Sequence, residues 1–167
     1  SNRVRCARRD WNPDNNFEME IVYAVSTTAA TSLDKSGNTM YVMRNAAFPS
    51  TYLTTSGTNL AAEDKSDVGT DNYVVIEGNK IKSVAKDQYF NRYDGNVSFN
   101  NSGTSYTISN SSGSNFTISY YYDPWIGSST TYYLKQTSET AVSMNSGNNG
   151  NNTWQFYEVK KEYKVVE

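Results

Sequence analysis

The residues of this sequence best equipped for chemistry follow one another in the chain: Tyr120, Tyr121, Tyr122, Asp123, Pro124, Trp125, Ile126 and Gly127. Pro124 cannot continue a central strand, and Gly127 leads into Ser-Ser-Thr-Thr, so Trp125 falls at or near a loop tip. An indole held out beside tyrosine rings stacks on the apolar face of a sugar ring or anchors a protein partner. Asp123 is placed to accept hydrogen bonds from hydroxyl groups. Folded back, the same indole would instead cover the mouth of a barrel.

Other groupings offer less. The run from Met144 to Asn152 holds only Met, Asn, Ser and Gly; its amides suit hydrogen bonds to glycans, and its composition is that of a flexible hairpin connection. Asp64, Asp67 and Asp71 lie in an acidic stretch, but their spacing misses the calcium-loop pattern, and a solvated loop accounts for them. Cys6 is the single cysteine and there is no histidine. That removes a Cys/His dyad, histidine acid–base work, histidine metal sites and an internal disulfide framework. Cys6 reads as filler in an apolar strand. No carboxylate spacing singles out a glycosidase pair. The chain therefore reads as non-catalytic, with no cofactor and no metal.

The elements that must position these residues are β-strands. With 167 residues the length fits one domain with a real core. Aromatics make up 14%, charged residues only 19%, and Asn, Ser and Thr together about a third. A chain so rich in aromatic and β-branched residues is not disordered. The first ten residues carry a charge of +3 and the rest about −5, and a mildly acidic body is a poor surface for nucleic acid. No run approaches 18 apolar residues, so no membrane insertion is expected.

Residues 1–17 carry breakers and no alternating pattern, reading as a linker or the closing segment of an upstream domain. From Glu18 the period is two: Met19, Ile21, Tyr23 and Val25 form one face, and Met40 to Met43 form a second strand, so 18–45 reads as a long hairpin. No window has a helical stripe.

Within the all-β domain, 18–167, one pattern recurs three times, at about 50–86, 87–130 and 131–162. The first copy runs Tyr52-Leu53, Asn59-Leu60, Tyr73-Val74-Val75-Ile76, then Ile81 to Val84. The second runs Tyr89-Phe90, Val97-Ser98-Phe99, Tyr106-Thr107-Ile108, then Phe116-Thr117-Ile118. The third runs Tyr133-Leu134, Val142-Ser143-Met144, Trp154-Gln155-Phe156, and is closed either by Tyr163 to Val165 or by the upstream Tyr41 to Met43. Copies begin 37 and 44 residues apart, and the differences fall in Asn/Ser/Gly loops. Three four-strand units of this kind fit a closed pseudo-threefold β architecture.

The copies resemble a ricin-type β-trefoil over roughly residues 39–162. Tyr41-Val42-Met43-Arg44-Asn45 is similar to the strand preceding that family's first lobe. The Tyr-Leu, Tyr-Phe and Tyr-Leu pairs stand where the family often has Cys-Leu, and Tyr73, Tyr106 and Trp154 stand at the aromatic of its Gln-x-Trp motif. The glutamine of that motif is replaced by Asp71, Thr104 and Asn152, and the sugar-binding aspartate after the pair by Thr54, Asn91 and Lys135. Only lobe two, with Asn91, Tyr93 and Asp94, keeps a polar-aromatic cluster at that position. Val4-Arg5-Cys6-Ala7-Arg8-Arg9-Asp10 also resembles the closing strand of domains in secreted and surface-anchored, partly fimbria-associated, proteins of gut anaerobes.

The resemblance implies an all-β fold, a β-trefoil with three four-strand repeats plus an N-terminal extension or hairpin; a β-sandwich is the alternative. It implies a carbohydrate-binding, lectin-like module of an exported, extracellular or cell-surface bacterial protein such as an adhesin. The candidate ligand-binding residues are Asn91, Tyr93 and Asp94 from the resemblance and Tyr121, Asp123 and Trp125 from the aromatic run, and the partners are glycans. The alternative function is a structural or protein-interaction domain that packs on an upstream domain or a surface-protein partner and binds no sugar.

Overall fold

The computed structural model describes residues 2–6, 17–146 and 151–166. Trp11, the arginines at 8 and 9, and residues 147–150 of the Asn-rich loop lie outside them. Among the described residues the only helical element is a single 3₁₀ turn, Thr70–Asn72; everything else regular is β. The strands are β1 (Asn2–Cys6), β2 (Phe17–Val25), β3 (Ser36–Asn45), β4 (Thr51–Thr54), β5 (Ala61–Asp64), β6 (Val74–Glu77) and β7 (Lys80–Ser83). They continue with β8 (Gln88–Tyr93), β9 (Asn96–Asn100), β10 (Thr107–Ser112), β11 (Asn115–Tyr122), β12 (Thr130–Gln136), β13 (Val142–Ser146) and β14 (Trp154–Val165).

Six of these strands make a nearly closed, barrel-like arc in the order β7-β6-β3-β14-β11-β10. The gap between β7 and β10 is bridged where the Tyr106 N–H donates to the Asn79 carbonyl, 2.8 Å away. Outside the arc stand three antiparallel hairpins, β4–β5, β8–β9 and β12–β13. They close on one another through backbone bonds: Leu60 N–H to Val97 C=O at 2.7 Å, Ala62 N–H to Thr140 C=O at 3.0 Å, and Met144 N–H to Gly95 C=O at 2.8 Å. Each hairpin thus supplies backbone partners that its neighbours need, as buried peptide groups require.

The alternation in the sequence explains which side chains fill the centre. Leu53, Phe90 and Leu134 are buried, as are Leu60, Val97 and Val142, and Tyr73, Tyr106 and Trp154. These are matching positions of the three copies, and most of them share one cluster with Met43, Ile76, Ile81, Phe116, Ile118, Met144 and Phe156. Tyr73 instead joins Val42, Tyr157 and Val159 in a second cluster. A further match lies in the polar contacts. The carbonyl of each pair residue accepts a bond from the segment leading to the third strand of its copy: Leu53 from Asn72 Nδ2 at 2.9 Å, Phe90 from the Thr104 N–H at 3.0 Å, and Leu134 from Trp154 Nε1 at 2.9 Å.

The open question of which strand closes the third copy has a clear answer. Trp154 pairs with Asn45 and Phe156 with Met43, so the upstream strand β3 closes it. The long hairpin expected over 18–45 is not formed. β2 pairs on one side with β1, and on the other with the second half of β14, from Val25 opposite Val159 to Met19 opposite Val165. The reason is length: β14 runs for 12 residues, β3 covers only its first part, and the remainder offers β2 an uncovered partner. Segment 26–35 follows β14 instead of turning back, with the N–H groups of Ser26 and Ala30 donating to the carbonyls of Glu158 and Phe156. It ends on Asp34, whose carboxylate accepts bonds from the Ser36 and Thr39 hydroxyls and the Ser36 N–H, which hold its pKa below the usual carboxylate value.

One glycine fixes the packing of β8. Gly103 has φ +69°, and a Cβ there would lie 2.4 Å from the Cβ of Tyr89. A side chain would be strained by the backbone and would collide with a neighbour that cannot swing away. Gly103→Ala is expected to lower stability by about 2–3 kcal/mol in urea unfolding. Wild-type stability would show instead that the 101–105 turn re-forms without cost.

Candidate functional site

Two hairpins carry all the candidate residues. On β8–β9 the connection is the two-residue turn Asp94-Gly95, with φ +47° and +78°, the left-handed pair that a tight hairpin needs. It throws Tyr93 outward, 67% exposed, with Asp94 exposed beside it. Asn91 behaves differently. Its Nδ2 donates to Ser98 Oγ at 3.3 Å and its Oδ1 accepts from Thr104 Oγ1 at 3.5 Å, so its amide is engaged within the fold.

The second hairpin is β11–β12. Its strands pair as far as Tyr122 opposite Thr130, and residues 123–129 form the tip. Pro124 stops the strand as its missing N–H requires, and Gly127 at φ +111° turns the chain back. Between them Trp125 is 98% exposed and Ile126 81%. Tyr121 is 60% exposed, and Asp123 is exposed with no bond among the described residues. The indole therefore stands out from the fold with free faces rather than over the barrel mouth. A neutral aromatic ring held this way beside a free carboxylate can stack on C–H surface and accept hydroxyl bonds.

The two clusters sit on adjoining elements, and the residue that joins them is one the sequence did not single out. Arg92 follows Asn91 on the side of β8 that Phe90 buries. Its guanidinium lies 3.9 Å from the Tyr132 ring centroid and 5.4 Å from that of Tyr120. Tyr120 and Tyr132 face each other across β11 and β12, two pairs below the tip that carries Trp125. The end of β8 thus abuts the base of the Trp125 arm. The sequence shows an arginine between Asn91 and Tyr93, but nothing in it pairs that arginine with tyrosines 28 and 40 residues further on.

Beneath the junction lies Tyr106, whose pKa is pushed up by burial, with the Thr104 side chain and the Arg92 charge opposing. Burial raises Tyr41 and Tyr73 as well. A phenol whose folded pKa lies above its unfolded value of 10.0 contributes stability in full below that pH. The contribution is lost as pH rises through the folded value, because the unfolded chain ionises first. The phenolate absorbance of Tyr106 is expected only together with loss of the β-sheet circular dichroism, above pH about 10. Tyr106→Phe is expected to move that transition to higher pH; an unchanged midpoint would show that this phenol does not control alkaline unfolding.

Elsewhere the chemistry is sparse. Among the described residues no three His, Cys, Asp or Glu side chains converge as metal ligands would, Asp64, Asp67 and Asp71 included. The Asn-rich loop is pinned at its far end, where the Asn151 carbonyl accepts from Asn45 Nδ2 at 2.6 Å and from the Gln136 N–H at 3.1 Å. No helix among the described residues is long and apolar enough to cross a membrane. No protein-family model matches this chain, and no curated protein matches it in sequence.

Proposed function

We propose that this chain is a non-catalytic carbohydrate-binding module of β-trefoil architecture, carried by an exported or cell-surface protein, and that it holds sugar rings with the β11–β12 arm. The trefoil reading is supported by the six-strand arc, the three mutually bonded hairpins, and three sets of matching buried positions. The function rests on one observation: Trp125, 98% exposed at a hairpin tip with Asp123 two residues before it. A large aromatic left in water marks an interaction site, since folding alone gives no reason to place it there. Such a site binds weakly alone and gains strength from repetition of the module.

A second reading draws on Ile126, whose exposed aliphatic side chain suits a protein partner better than a sugar. A glycan-array screen of the chain, run beside Trp125→Ala and Asn91→Ala variants checked by circular dichroism, separates the two. Binding that Trp125→Ala removes from a folded protein supports the carbohydrate module. No binding to any host or microbial glycan overturns it and leaves the protein-interaction reading. Asn91→Ala is expected to act through the β8–β9 hairpin that Asn91 braces, not through a direct sugar contact.

A further inference from the structure

Arg44 and Arg92 make an instructive pair. Both stack on tyrosine, Arg44 at 4.6 Å from the Tyr157 centroid. The Arg44 terminal nitrogens are tied into the fold, one donating to the Pro49 carbonyl at 3.2 Å and the other to the Tyr157 hydroxyl. Those of Arg92 have no such tie. Among the described residues no hydrogen bond or carboxylate reaches the Arg92 guanidinium, although Lys65 and Lys82 both find carboxylates nearby. The Nε of both arginines is buried without a partner, so the terminal nitrogens make the difference. A guanidinium packed on two neighbouring rings has lost rotamer freedom and part of its hydration while its terminal donors have no protein partner. That is the state in which an oxyanion binds best, through two parallel charge-assisted bonds.

The position adds the ligand class. Arg92 lies between Asn91 and Tyr93 in sequence and packs on the base of the hairpin that presents Trp125. Asp94 and Asp123, the carboxylates of the same two hairpins, are exposed and pair with nothing among the described residues, so neither satisfies it. We infer that Arg92 is an anion-recognition residue, and that the module prefers sugars bearing an oxyanion, a carboxylate or a sulfate ester, over neutral ones. This rests on the carbohydrate reading above and narrows it.

The test compares sugars that differ only in the charged group: methyl glucoside, methyl glucuronide and methyl glucoside 6-sulfate, titrated into the protein and followed by NMR. An acidic sugar is expected to bind about tenfold more tightly than the glucoside, and Arg92→Gln to erase that margin while the neutral sugar still binds. Arg92→Lys, which keeps the charge and loses the fork, is expected to restore only part of it. The larger of the two acidic responses tells carboxylate from sulfate. Should Arg92→Gln fail to fold, the Arg92 Nε–H resonance of the wild type carries the test, since it is expected to move with the acidic sugars and not with the glucoside. Equal binding of all three sugars, with that resonance unmoved, overturns the inference and leaves the carbohydrate reading standing. If none of the three binds, the inference falls; whether the carbohydrate reading falls with it is decided by the array, which covers glycans beyond these.

Discussion

Trp154→Ala is expected to remove most of the stability of the fold. The indole is fully buried at the start of β14, opposite Asn45 of β3 and Phe116 of β11, where two neighbours of the barrel arc meet. Truncation opens a cavity costing about 3–5 kcal/mol. It also leaves the Leu134 carbonyl without the Nε1–H that now reaches it at 2.9 Å, a further cost of about 1–3 kcal/mol. Against a total of about 5–15 kcal/mol, this leaves a marginal protein at best. Trp154→Phe keeps most of the volume and loses mainly the hydrogen bond, so its cost is expected near about 1–2 kcal/mol. Urea unfolding of the two variants measures both. A loss under about 1 kcal/mol for the alanine variant would show that the third copy is not anchored through this residue.

Trp125→Ala is expected to do the reverse. With 98% of its surface already in water, the side chain has nothing to lose on truncation, and stability should stay within about 0.5 kcal/mol of wild type. Glycan affinity is expected to fall about 10- to 30-fold, the cost of removing a stacked aromatic anchor. The two tryptophans thus separate folding from recognition. A Trp125→Ala variant that loses stability in step with binding would mean that the indole packs against the fold in solution.

Much of the scaffold was readable because the three copies repeat the same order of apolar pairs. Leu53, Phe90 and Leu134, and Leu60, Val97 and Val142, are all buried, as apolar pairs in short alternating strands are expected to be. Period-two alternation located β2 and the second half of β3, and the recurring pairs located most of the later strands. Neither says which strands become neighbours. β2 has the alternation of a hairpin arm, yet its partners are β1 and the overhang of β14, a pairing set by how far β14 outruns β3. The closing role of Tyr41 to Met43 is a long-range choice of the same sort, made by pairing across more than a hundred residues.

The candidate site was legible in part for the same reason. Pro124 and Gly127 announce a hairpin tip, and a tip exposes what it carries, so Trp125 could be placed from local rules. Asn91 matched a family position but faces Ser98 and Thr104, a cross-strand detail no spacing encodes. Arg92 was invisible as a site residue because its meaning lies in Tyr120 and Tyr132, brought to it only by the packing of β8 on β11 and β12.

The most direct measurement follows the indole N–H resonances by ¹H–¹⁵N NMR while pooled glycans are added at millimolar concentration. Trp154 serves as an internal reference, since its Nε1–H is locked to the Leu134 carbonyl. The proposed function predicts that the Trp125 resonance moves in a saturable way while that of Trp154 stays fixed. A Trp125 resonance that no glycan pool shifts would contradict it.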